Sequence, residues 1–541
     1  MKKQTLRNAF YSHQITILIA LFFATIINFP VYAKIYHVVS AGEVIRWVFL
    51  VSVPVFFFCA LIIIFSLFTW PYLTKLVFIP IILLSSIVSY SSYHYGTLFD
   101  DSMIVNIFQT DYNEAISYLN ISFATWFISV GVIPSIVLYK VKIKKDRSAI
   151  MFLLNKIKVI MCSVVIIFFI ALFYYKDYAS IGRNNSYLKK MIIPNEFVYS
   201  TYKYIKHQYF TTPIVYREIG RDAIIPNADQ ARKPKLVIMV VGETARAQNY
   251  LVNGYVRNTT PFTEDKNVYS FKNVSSCGTA TAISVPCMFS ALNRSNYDHD
   301  IANSQDNVLD ILQRAGVDVL WKDNDGGDKK VAKHVIKKMA PRSDNNDFCD
   351  GTNCFDEVLL NKLAQDIKPQ DQLIILHFNG SHGPTYFKRY PKMEHEFTPT
   401  CDRSDIENCS TDQIVNTYDN TILYTDLVLS KIISKLKNET QHSTAMFYIS
   451  DHGESLGENG LYLHGMPYSI APKYQKTVPM MLWMSNDFKK DMHISTQCLQ
   501  NLANKNGLSQ DYVFHTILSL LNVKTEVYNP SLDLLSTCKI Q

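Results

Sequence analysis

The sequence predicts a helical membrane domain followed by a separate α/β domain. The chain has 541 residues, 48% of them hydrophobic and only 18% charged, which allows two or three domains and excludes a disordered or collagen-like protein. The charge is divided unevenly. Residues 1–175 contain 13 Lys and Arg against 6 Asp and Glu, whereas residues 176–541 contain 40 of each. A basic excess confined to the apolar part is typical of membrane topology and not of a nucleic-acid-binding surface.

The membrane prediction depends on five apolar stretches. Each has about 20 residues, the length that a helix needs to cross a hydrocarbon core of about 30 Å. The stretches are residues 15–33, 47–69, 73–93, 119–139 and 157–175. Five in succession are too many for the buried helices of a soluble protein. Val31-Tyr32-Ala33 would permit cleavage of the first stretch as a signal peptide, but four further spans favour an uncleaved anchor.

Loop charges predict the orientation of the spans. Residues 140–158 carry seven Lys and Arg, whereas residues 94–118 carry none. The positive-inside rule places the first segment in the cytoplasm and the second outside. The N-terminus, with Lys2, Lys3 and Arg7, is then cytoplasmic, and five crossings place everything after Tyr175 on the outer side.

Three parts follow from this reading. Residues 1–175 form the transmembrane domain, residues 176–234 a connector, and residues 235–541 a catalytic α/β domain. The connector has no sustained periodicity, and its Tyr-rich stretch 198–210 suits the membrane surface, where aromatic rings settle.

The α/β prediction depends on apolar, β-branched runs that alternate with helical patterns. The predicted strands are 236–241, 317–321, 373–378, 445–450 and 478–484, and the predicted helices include 308–315 and 414–436. This alternation favours a largely parallel sheet, in which ligands bind at the carboxyl ends of the strands.

Eight of the ten cysteines lie after the last span. An even number in an exported domain indicates disulfides. Closeness in sequence suggests the pairs Cys277–Cys287, Cys349–Cys354 and Cys401–Cys409, which leaves Cys498–Cys538 as the fourth. Metal-binding thiols of a cytosolic domain are the alternative, but no C-x-x-C spacing occurs.

Polar clusters follow the predicted strands. They are Gly242–Arg246, His382-Gly383, Ser450–Glu454 and His464-Gly465. A lone His-Gly pair is more typical of a turn. Carboxylates and imidazoles that converge at one sheet edge, however, fit a divalent metal, and mixed N and O ligands suit zinc.

A fifth cluster lies between Cys277 and Cys287 and consists mostly of small residues. Its hydroxyls could cap a helix whose free N–H groups bind phosphate, and a hydroxyl beside a metal can act as a nucleophile. Simple capping is the alternative. The spacing alone does not choose among Thr279, Thr281 and Ser284.

A polar strip is predicted just outside the membrane. Asn106, Thr110 and Glu114 are spaced so that they share one face of a helix. The strip suits a polar lipid headgroup, and its carboxylate suits an amine; a solvated helix face is the alternative.

Five segments together resemble a known family. They are Val240–Arg246, Cys277–Cys287, Ser381–Pro384, Asp451–Ser455 and Tyr462–Gly465. In order and spacing, over nearly the whole chain, they look like the lipid A phosphoethanolamine transferases, and the mobile colistin resistance enzymes are the most similar group by these motifs. The resemblance implies an alkaline phosphatase/sulfatase-like fold in the second domain.

The resemblance also implies roles for particular residues. It implies zinc bound by Glu243, Thr281, Asp451 and His452, with Thr281 as the nucleophile. His382 and His464 would lie near the phosphate or hold a second zinc. Positions linked to the donor headgroup match Asn106, Thr110, Glu114, Lys329 and Arg389.

The implied protein is a monomeric bacterial inner-membrane enzyme with a periplasmic catalytic domain. It would take phosphoethanolamine from phosphatidylethanolamine, place it on a phosphate of lipid A, and so confer polymyxin and colistin resistance, with no nucleic-acid partner. Three alternatives remain: a glycerol-phosphate polymerase of the same fold, a phosphatase that uses water, and a membrane receptor.

The chain departs from the family pattern near Lys329. Family members often have a cysteine at the positions of Asp328 and Ala332, and some have Asn at the position of Asp325. The absence of that disulfide predicts a more mobile loop around Lys329.

Overall fold

The chain forms two compact units. The computed structural model describes residues 9–40, 47–110, 112–212, 214–226 and 232–540. One unit comprises Met1–Ile104 and Leu119–Tyr209, and the other comprises Val105–Tyr118 and Phe210–Gln541. Each unit has a hydrophobic core of its own.

The first unit is helical. From Ser12 to Phe210 the α-helices are α1 Ser12–Phe22, α2 Phe29–Ser40, α3 Trp47–Phe68, α4 Leu73–His94, α5 Asp101–Gln109, α6 Tyr112–Ser117, α7 Ile121–Trp126, α8 Ile133–Lys140, α9 Ala149–Asn184 and α10 Asn195–Phe210. Of these, α6 and the second half of α5 belong to the second unit. Four stretches of helix are long and apolar enough to cross a membrane: Trp47–Phe68, Leu73–His94, Ile121–Lys140 and Ala149–Ala179. A fifth span results if the bent pair Ser12–Ile27 and Phe29–Ser40 is counted as one.

The first predicted span is a bent pair of helices, with an angle of 49° across the break at Asn28. Asn28 is fully buried, and its Nδ2 donates to the carbonyl oxygens of Phe23 (3.0 Å) and Ile193 (2.7 Å). Its Oδ1 accepts from the Ile193 N–H at 2.9 Å. Pro30 follows and has no N–H to continue the helical ladder. The side chain of Asn28 therefore satisfies backbone groups where the helix is interrupted.

The second unit is built on a seven-stranded sheet. Its strands are β1 Lys235–Gly242, β2 Tyr269–Ser275, β3 Asp318–Asp323, β4 Ile336–Met339, β5 Gln372–His377, β6 Ser443–Ser450 and β7 Thr477–Met484. Their order is β2-β7-β6-β1-β5-β3-β4. The five strands β6, β1, β5, β3 and β4 run parallel, whereas β7 and β2 are antiparallel to their neighbours.

This sheet confirms the predicted α/β architecture. Every residue of β1 and β6 is buried, which is why these parallel strands show continuous apolar runs. The five predicted strands are present with ends shifted by up to two residues. Strands β2 and β4 were not predicted.

The helices of the second unit cover this sheet. They are α11 Thr281–Phe289, α12 His299–Asn303, α13 Val308–Arg314, α14 Leu363–Asp366, α15 Thr411–Lys437, α16 Lys473–Lys476, α17 Asn486–Asp491, α18 Thr496–Ala503 and α19 Tyr512–Leu520. Helix α15 begins with a capping box, in which the Ser410 side chain and the Gln413 side chain satisfy each other's backbone N–H groups.

Four disulfides connect parts of the second unit, and their pairing is the predicted one. They are Cys277–Cys287, Cys349–Cys354, Cys401–Cys409 and Cys498–Cys538. Cys59 and Cys162, in the first unit, are free.

Candidate metal and phosphoryl-transfer site

The loops that follow strands β6, β1 and β5 meet at one edge of the sheet, because these parallel strands end at the same level. Ser450 at the end of β6 is paired with Gly242 at the end of β1, and Val241 is paired with His377 at the end of β5. Glu243 and Asp451 therefore leave neighbouring strands at the same level. Gly380, after β5, has φ +51°, and a Cβ there would lie 2.5 Å from the Glu243 carbonyl oxygen, so only glycine permits this close approach.

Glu243, Asp451 and His452 form a buried group whose donor atoms can all reach one metal ion. His452 Nε2 lies 3.6 Å from Glu243 Oε1 and 3.2 Å from Asp451 Oδ2. The other ring nitrogen, Nδ1, contacts the Gly453 carbonyl oxygen at 3.0 Å, which leaves Nε2 to face the carboxylates.

Among the described residues, the side chains within ion-pair distance of the two carboxylates are imidazoles and not Lys or Arg. Burial raises the pKa of Glu243, and the charge of Asp451 raises it further; burial also raises the pKa of Asp451. Asp451 Oδ1 accepts N–H bonds from Thr244 (3.0 Å) and His452 (2.6 Å), but the buried Oδ2 accepts no hydrogen bond. Burial and the charge of His464 lower the pKa of His452 to about 3, so the imidazole is neutral. Two buried carboxylates, a neutral imidazole and an unsatisfied oxygen fit a divalent cation such as zinc.

Thr281 is the first residue of α11, next to this group. Its Oγ1 donates to Glu243 Oε2 at 3.1 Å and lies 3.3 Å from His452 Nε2. The hydroxyl of Thr279 instead donates to the Met466 carbonyl oxygen, and Ser284 Oγ accepts from the Gly278 N–H at 2.9 Å. Of the three hydroxyls that the spacing left open, Thr281 faces the carboxylates, and the other two secure the loop.

His382 and His464 lie beside the same group. His382 Nε2 is 3.9 Å from Glu243 Oε1, and the rings of His452 and His464 have centroids 4.3 Å apart. His464 Nδ1 contacts Glu454 Oε2 at 3.0 Å, and Tyr386 Oη donates to Glu454 Oε1 at 3.1 Å. Glu454, which belongs to a predicted cluster but had no predicted role, therefore orients His464.

Glu243, Asp325 and His377 form a third group whose donor atoms could hold a metal ion. The sequence did not predict His377 as a site residue, and it singled out Asp325 only as a departure from the family pattern. Burial lowers the pKa of His377, but the charges of Asp323 and Asp325 outweigh this and raise it to about 9. His377 ends β5, and its position directly after an apolar run was the available signal. Lys329 Nζ lies 3.9 Å from Asp325 Oδ2, so this group extends toward the predicted donor residues.

Hydrogen bonds hold Arg389 and the loop of Lys329, two of the positions predicted to contact the headgroup of the donor lipid. Arg389 is buried, and its guanidinium donates to the His382 carbonyl oxygen at 2.8 Å and to Thr385 Oγ1 at 3.2 Å. Around Lys329, Asp328 Oδ2 accepts from the Ala332 N–H at 2.8 Å. This hydrogen bond joins the two positions at which family members often have cysteines.

The predicted strip of Asn106, Thr110 and Glu114 does not lie on one continuous helix. Helix α5 ends at Gln109, and α6 begins at Tyr112. Thr110 Oγ1 donates to the Asn106 carbonyl oxygen at 2.9 Å, a local bond of the kind that competes with the helical ladder. The Glu114 side chain lies outside the described residues.

Comparison with known proteins gives two family models that together match most of the chain. The model described as "Sulfatase" matches residues 235–523, and the model described as "Phosphoethanolamine transferase EptA/EptB" matches residues 57–209.

Three individual proteins match over almost their whole length. Phosphoethanolamine transferase EptA of Escherichia coli (strain K12) is 39% identical over 97% of this chain and 96% of its own. Phosphatidylethanolamine transferase Mcr-1 of Escherichia coli is 35% identical over 94% of each chain. The structure of the integral membrane lipooligosaccharide phosphoethanolamine transferase A (EptA) from Neisseria meningitidis has a TM-score of 0.95 at 35% identity and covers 99% of this chain and all of that one. The expected fold, a helical membrane domain with a sulfatase-like domain, is confirmed.

Proposed function

Because this chain belongs to the phosphoethanolamine transferase family, we propose that it moves phosphoethanolamine from phosphatidylethanolamine to a phosphate of lipid A through a covalent intermediate on Thr281. The observation that carries the covalent step is the position of Thr281 Oγ1, 3.1 Å from Glu243 Oε2 at the start of a helix. The residues proposed to hold zinc are Glu243, Thr281, Asp451 and His452, and His382 with His464 would hold a second zinc or the phosphate.

Zinc, when bound by these residues, would lower the pKa of the Thr281 hydroxyl and polarise the phosphoryl oxygens. The chain supplies the positioning. Glu243 and His452 hold the Thr281 oxygen, and the N-terminus of α11 presents free N–H groups to a phosphoryl group.

Two displacements then account for the transfer. Thr281 Oγ1 attacks the donor phosphorus, the bond to diacylglycerol oxygen breaks, and His382 or His464 gives that oxygen a proton. A phosphate oxygen of lipid A next attacks the phosphorus on Thr281, and the threonine oxygen leaves. The product carries a new ammonium group, which offsets surface charge and weakens the binding of cationic peptides such as polymyxin and colistin.

The donor headgroup is proposed to contact Asn106, Thr110, Glu114, Lys329 and Arg389. The structure supports this for Lys329 and Arg389 by their closeness to Asp325 and His382. The protein is proposed to lie in the bacterial inner membrane with its N-terminus in the cytoplasm and residues 235–541 in the periplasm, as the loop charges predict.

The test is to trap the intermediate. Wild-type protein incubated with phosphatidylethanolamine and no lipid A should gain the mass of phosphoethanolamine on Thr281, as read by peptide mass spectrometry. Thr281→Ala should abolish this adduct, and Thr281→Ser should keep a small part of it because a hydroxyl remains. Thr279→Ala, which removes the neighbouring hydroxyl, should keep the adduct.

The acceptor is tested on cells that express the chain. Their lipid A should gain one phosphoethanolamine group, and a Thr281→Ala strain should not. Normal modification by Thr281→Ala would mean direct transfer without this intermediate. An adduct that is released to water and never reaches lipid A would instead favour the phosphatase alternative.

A further inference from the structure

A segment from Gly465 to Thr477, here called the strap, connects the loop of Thr281 to the loop of His452. On one side, the Gly465 N–H donates to the Thr279 carbonyl oxygen at 2.7 Å, and the Ser276 N–H donates to the Lys476 carbonyl oxygen at 2.8 Å. The strap is therefore bonded at both of its ends to the loop that carries the proposed nucleophile.

On its other side the strap holds the His452 loop. The Gly453 N–H donates to the Gln475 carbonyl oxygen at 3.1 Å, and a Cβ at Gly453 would lie only 2.0 Å from the Tyr474 carbonyl oxygen. Gln475 is fully buried, and its Nε2 donates to the Leu463 carbonyl oxygen at 2.9 Å. The backbone of the strap thus joins the Thr281 loop to the His452 loop.

Two cations lie around one aromatic ring of the strap. The Arg294 guanidinium carbon is 4.2 Å from the centroid of the Tyr468 ring, and Lys476 Nζ is 5.4 Å from the same centroid. We call Arg294, Tyr468 and Lys476 the Tyr468 patch. Within the described part of the chain, neither cation forms an ion pair; Asp511 accepts from the backbone N–H of Arg294, at 2.8 Å, and not from its guanidinium.

The two like charges of the patch lie around one ring and repel each other. Burial lowers the pKa of Lys476, and the charge of Arg294 lowers it further. Contact with the Tyr468 ring is favourable for each cation, but it does not remove the repulsion between them. An anion that contacts both side chains would do so.

The patch lies at the edge of the sheet where the Thr281 site is built. Lys476 directly precedes β7, whose first residue, Thr477, is paired with Ser275 at the end of β2. Ser276, whose N–H donates to the Lys476 carbonyl oxygen, lies only five positions before Thr281. The backbone distance from Lys476 to Thr281 is therefore at most about 20 Å, the reach of that segment plus one hydrogen bond.

We propose that the Tyr468 patch binds a second phosphate of the acceptor while its first phosphate is at Thr281; this inference rests on the function proposed above. Lipid A carries one phosphate at each end of a disaccharide, so its two phosphates have a separation within that reach. The proposed donor residues Lys329 and Arg389 are not part of the patch. The patch would thus favour an acceptor with two phosphates over an acceptor with one.

The experiment removes both charges from the full-length protein and varies the acceptor in parallel. For the double variant Arg294→Gln/Lys476→Gln, we expect the KM for bisphosphorylated lipid A to rise about fivefold, since one exposed and one half-buried charge contact are lost. With monophosphorylated lipid A the KM should equal that of the wild type. Adduct formation from phosphatidylethanolamine should also be unchanged, because the donor half-reaction does not use the patch.

The matched control is Lys489→Gln/Lys490→Gln on α17. It removes two charges from the opposite edge of the sheet, where Ser485 is bonded to Thr444 at the start of β6, and should leave both KM values unchanged. An equal rise of KM for both acceptors, or a loss of adduct in the patch variant, would overturn the proposal.

Failure of the proposed function has a different signature. If wild-type protein forms no adduct but still modifies lipid A, the covalent step is wrong, and the comparison of acceptors still decides about the patch. If lipid A is not modified at all, equilibrium binding of the two lipid A forms in detergent micelles decides. If the patch binds the second phosphate, the double variant should bind bisphosphorylated lipid A about fivefold more weakly than the wild type and monophosphorylated lipid A equally well. Equal binding of bisphosphorylated lipid A by variant and wild type would refute the proposal.

Discussion

At the residue scale, Asp451 is the side chain whose environment most directly indicates a bound cation. Its Oδ2 is buried and accepts no hydrogen bond, although Oδ1 accepts two. A buried carboxylate oxygen left unsatisfied costs free energy that a metal ion would recover. The nearby Glu243 has hydrogen-bond donors for its oxygens, but burial and the charge of Asp451 still raise its pKa, which a bound cation would oppose.

We predict that Asp451→Asn loses zinc and transfer activity together. The amide removes the negative charge and presents N–H groups or one weaker oxygen to the cation, so zinc affinity should fall by more than about a hundredfold. Zinc content per protein, measured by mass spectrometry of the purified variant, and lipid A modification test this.

Asp426→Asn is the matched control. Asp426 is also buried, and burial raises its pKa to about 6, but it bonds Thr263 and Phe262 outside the donor group. It should retain zinc. Full activity of Asp451→Asn at an equal protein level would remove Asp451 from the metal site.

The choice of Thr281 shows where sequence reasoning about the site stopped. Strand ends predicted that Glu243 and Asp451 would meet, because parallel strands end at one edge. Spacing could not choose among three hydroxyls, since their directions depend on the turn into α11 and on bonds to distant residues such as Met466. Glu454 was likewise without a role because only the folded chain brings it to His464.

At the scale of elements, the loop around Lys329 is held by a hydrogen bond where family members often have a disulfide. Asp328 Oδ2 accepts from the Ala332 N–H, and Asp328 Oδ1 pairs with Lys337 at 3.3 Å. The expectation of a more mobile loop is therefore opposed by these contacts.

We predict that Asp328→Ala raises the KM for phosphatidylethanolamine severalfold and leaves zinc content unchanged. The loss of the bond to Ala332 should cost about 1 kcal/mol and free the loop that carries Lys329. Donor-dependent adduct formation measures the effect. Lys337→Ala, which removes only the exposed ion pair, should have a smaller effect; an equal effect would assign the role to the ion pair.

The segment of α5 and α6 gives a second prediction at this scale. If Glu114 pairs with the amine of the donor, Glu114→Ala should slow adduct formation about tenfold, as the loss of a charge-assisted contact implies, with zinc intact. Glu264→Ala, an exposed acid of the second unit, is the control. An unchanged rate for Glu114→Ala would mean that Asn106, Thr110 and Glu114 form a solvated surface and not a donor site.

The elements that sequence predicted well are those with a strong burial signal. Strands β1, β5 and β6 are buried throughout and appear as apolar runs. Strand β4 is exposed at the sheet edge and has no such run. The antiparallel direction of β7 follows from its connection, because residues 451–476 contain no helix long enough to return the chain for a parallel crossover.

At the scale of the whole molecule, the second unit includes residues before the predicted boundary at 235. Tyr216 Oη donates to Asp306 Oδ1 at 2.9 Å, and the Ile219 N–H donates to Asp306 Oδ2 at 3.1 Å. Ile224 and Lys524 exchange two backbone hydrogen bonds, at 3.0 and 2.9 Å. Ala223 is buried in the core of this unit. The predicted connector thus contains packed structure of the second unit.

We predict that a fragment of residues 210–541 is more stable than one of residues 235–541. The shorter fragment loses at least these four hydrogen bonds and the burial of Ala223, a loss of at least roughly 3 kcal/mol that lowers the melting temperature by several degrees. Both fragments keep Glu243, Thr281, Asp451 and His452, so both should bind zinc. Neither should modify lipid A in cells, since both lack the spans and the segment of Glu114.

Thermal unfolding and zinc analysis of both fragments check these expectations. The melting temperature of the longer fragment with Asp306→Ala should fall between those of the two fragments. Equal melting temperatures would show that residues 210–234 contribute nothing, and the boundary predicted from sequence would then be the physical one.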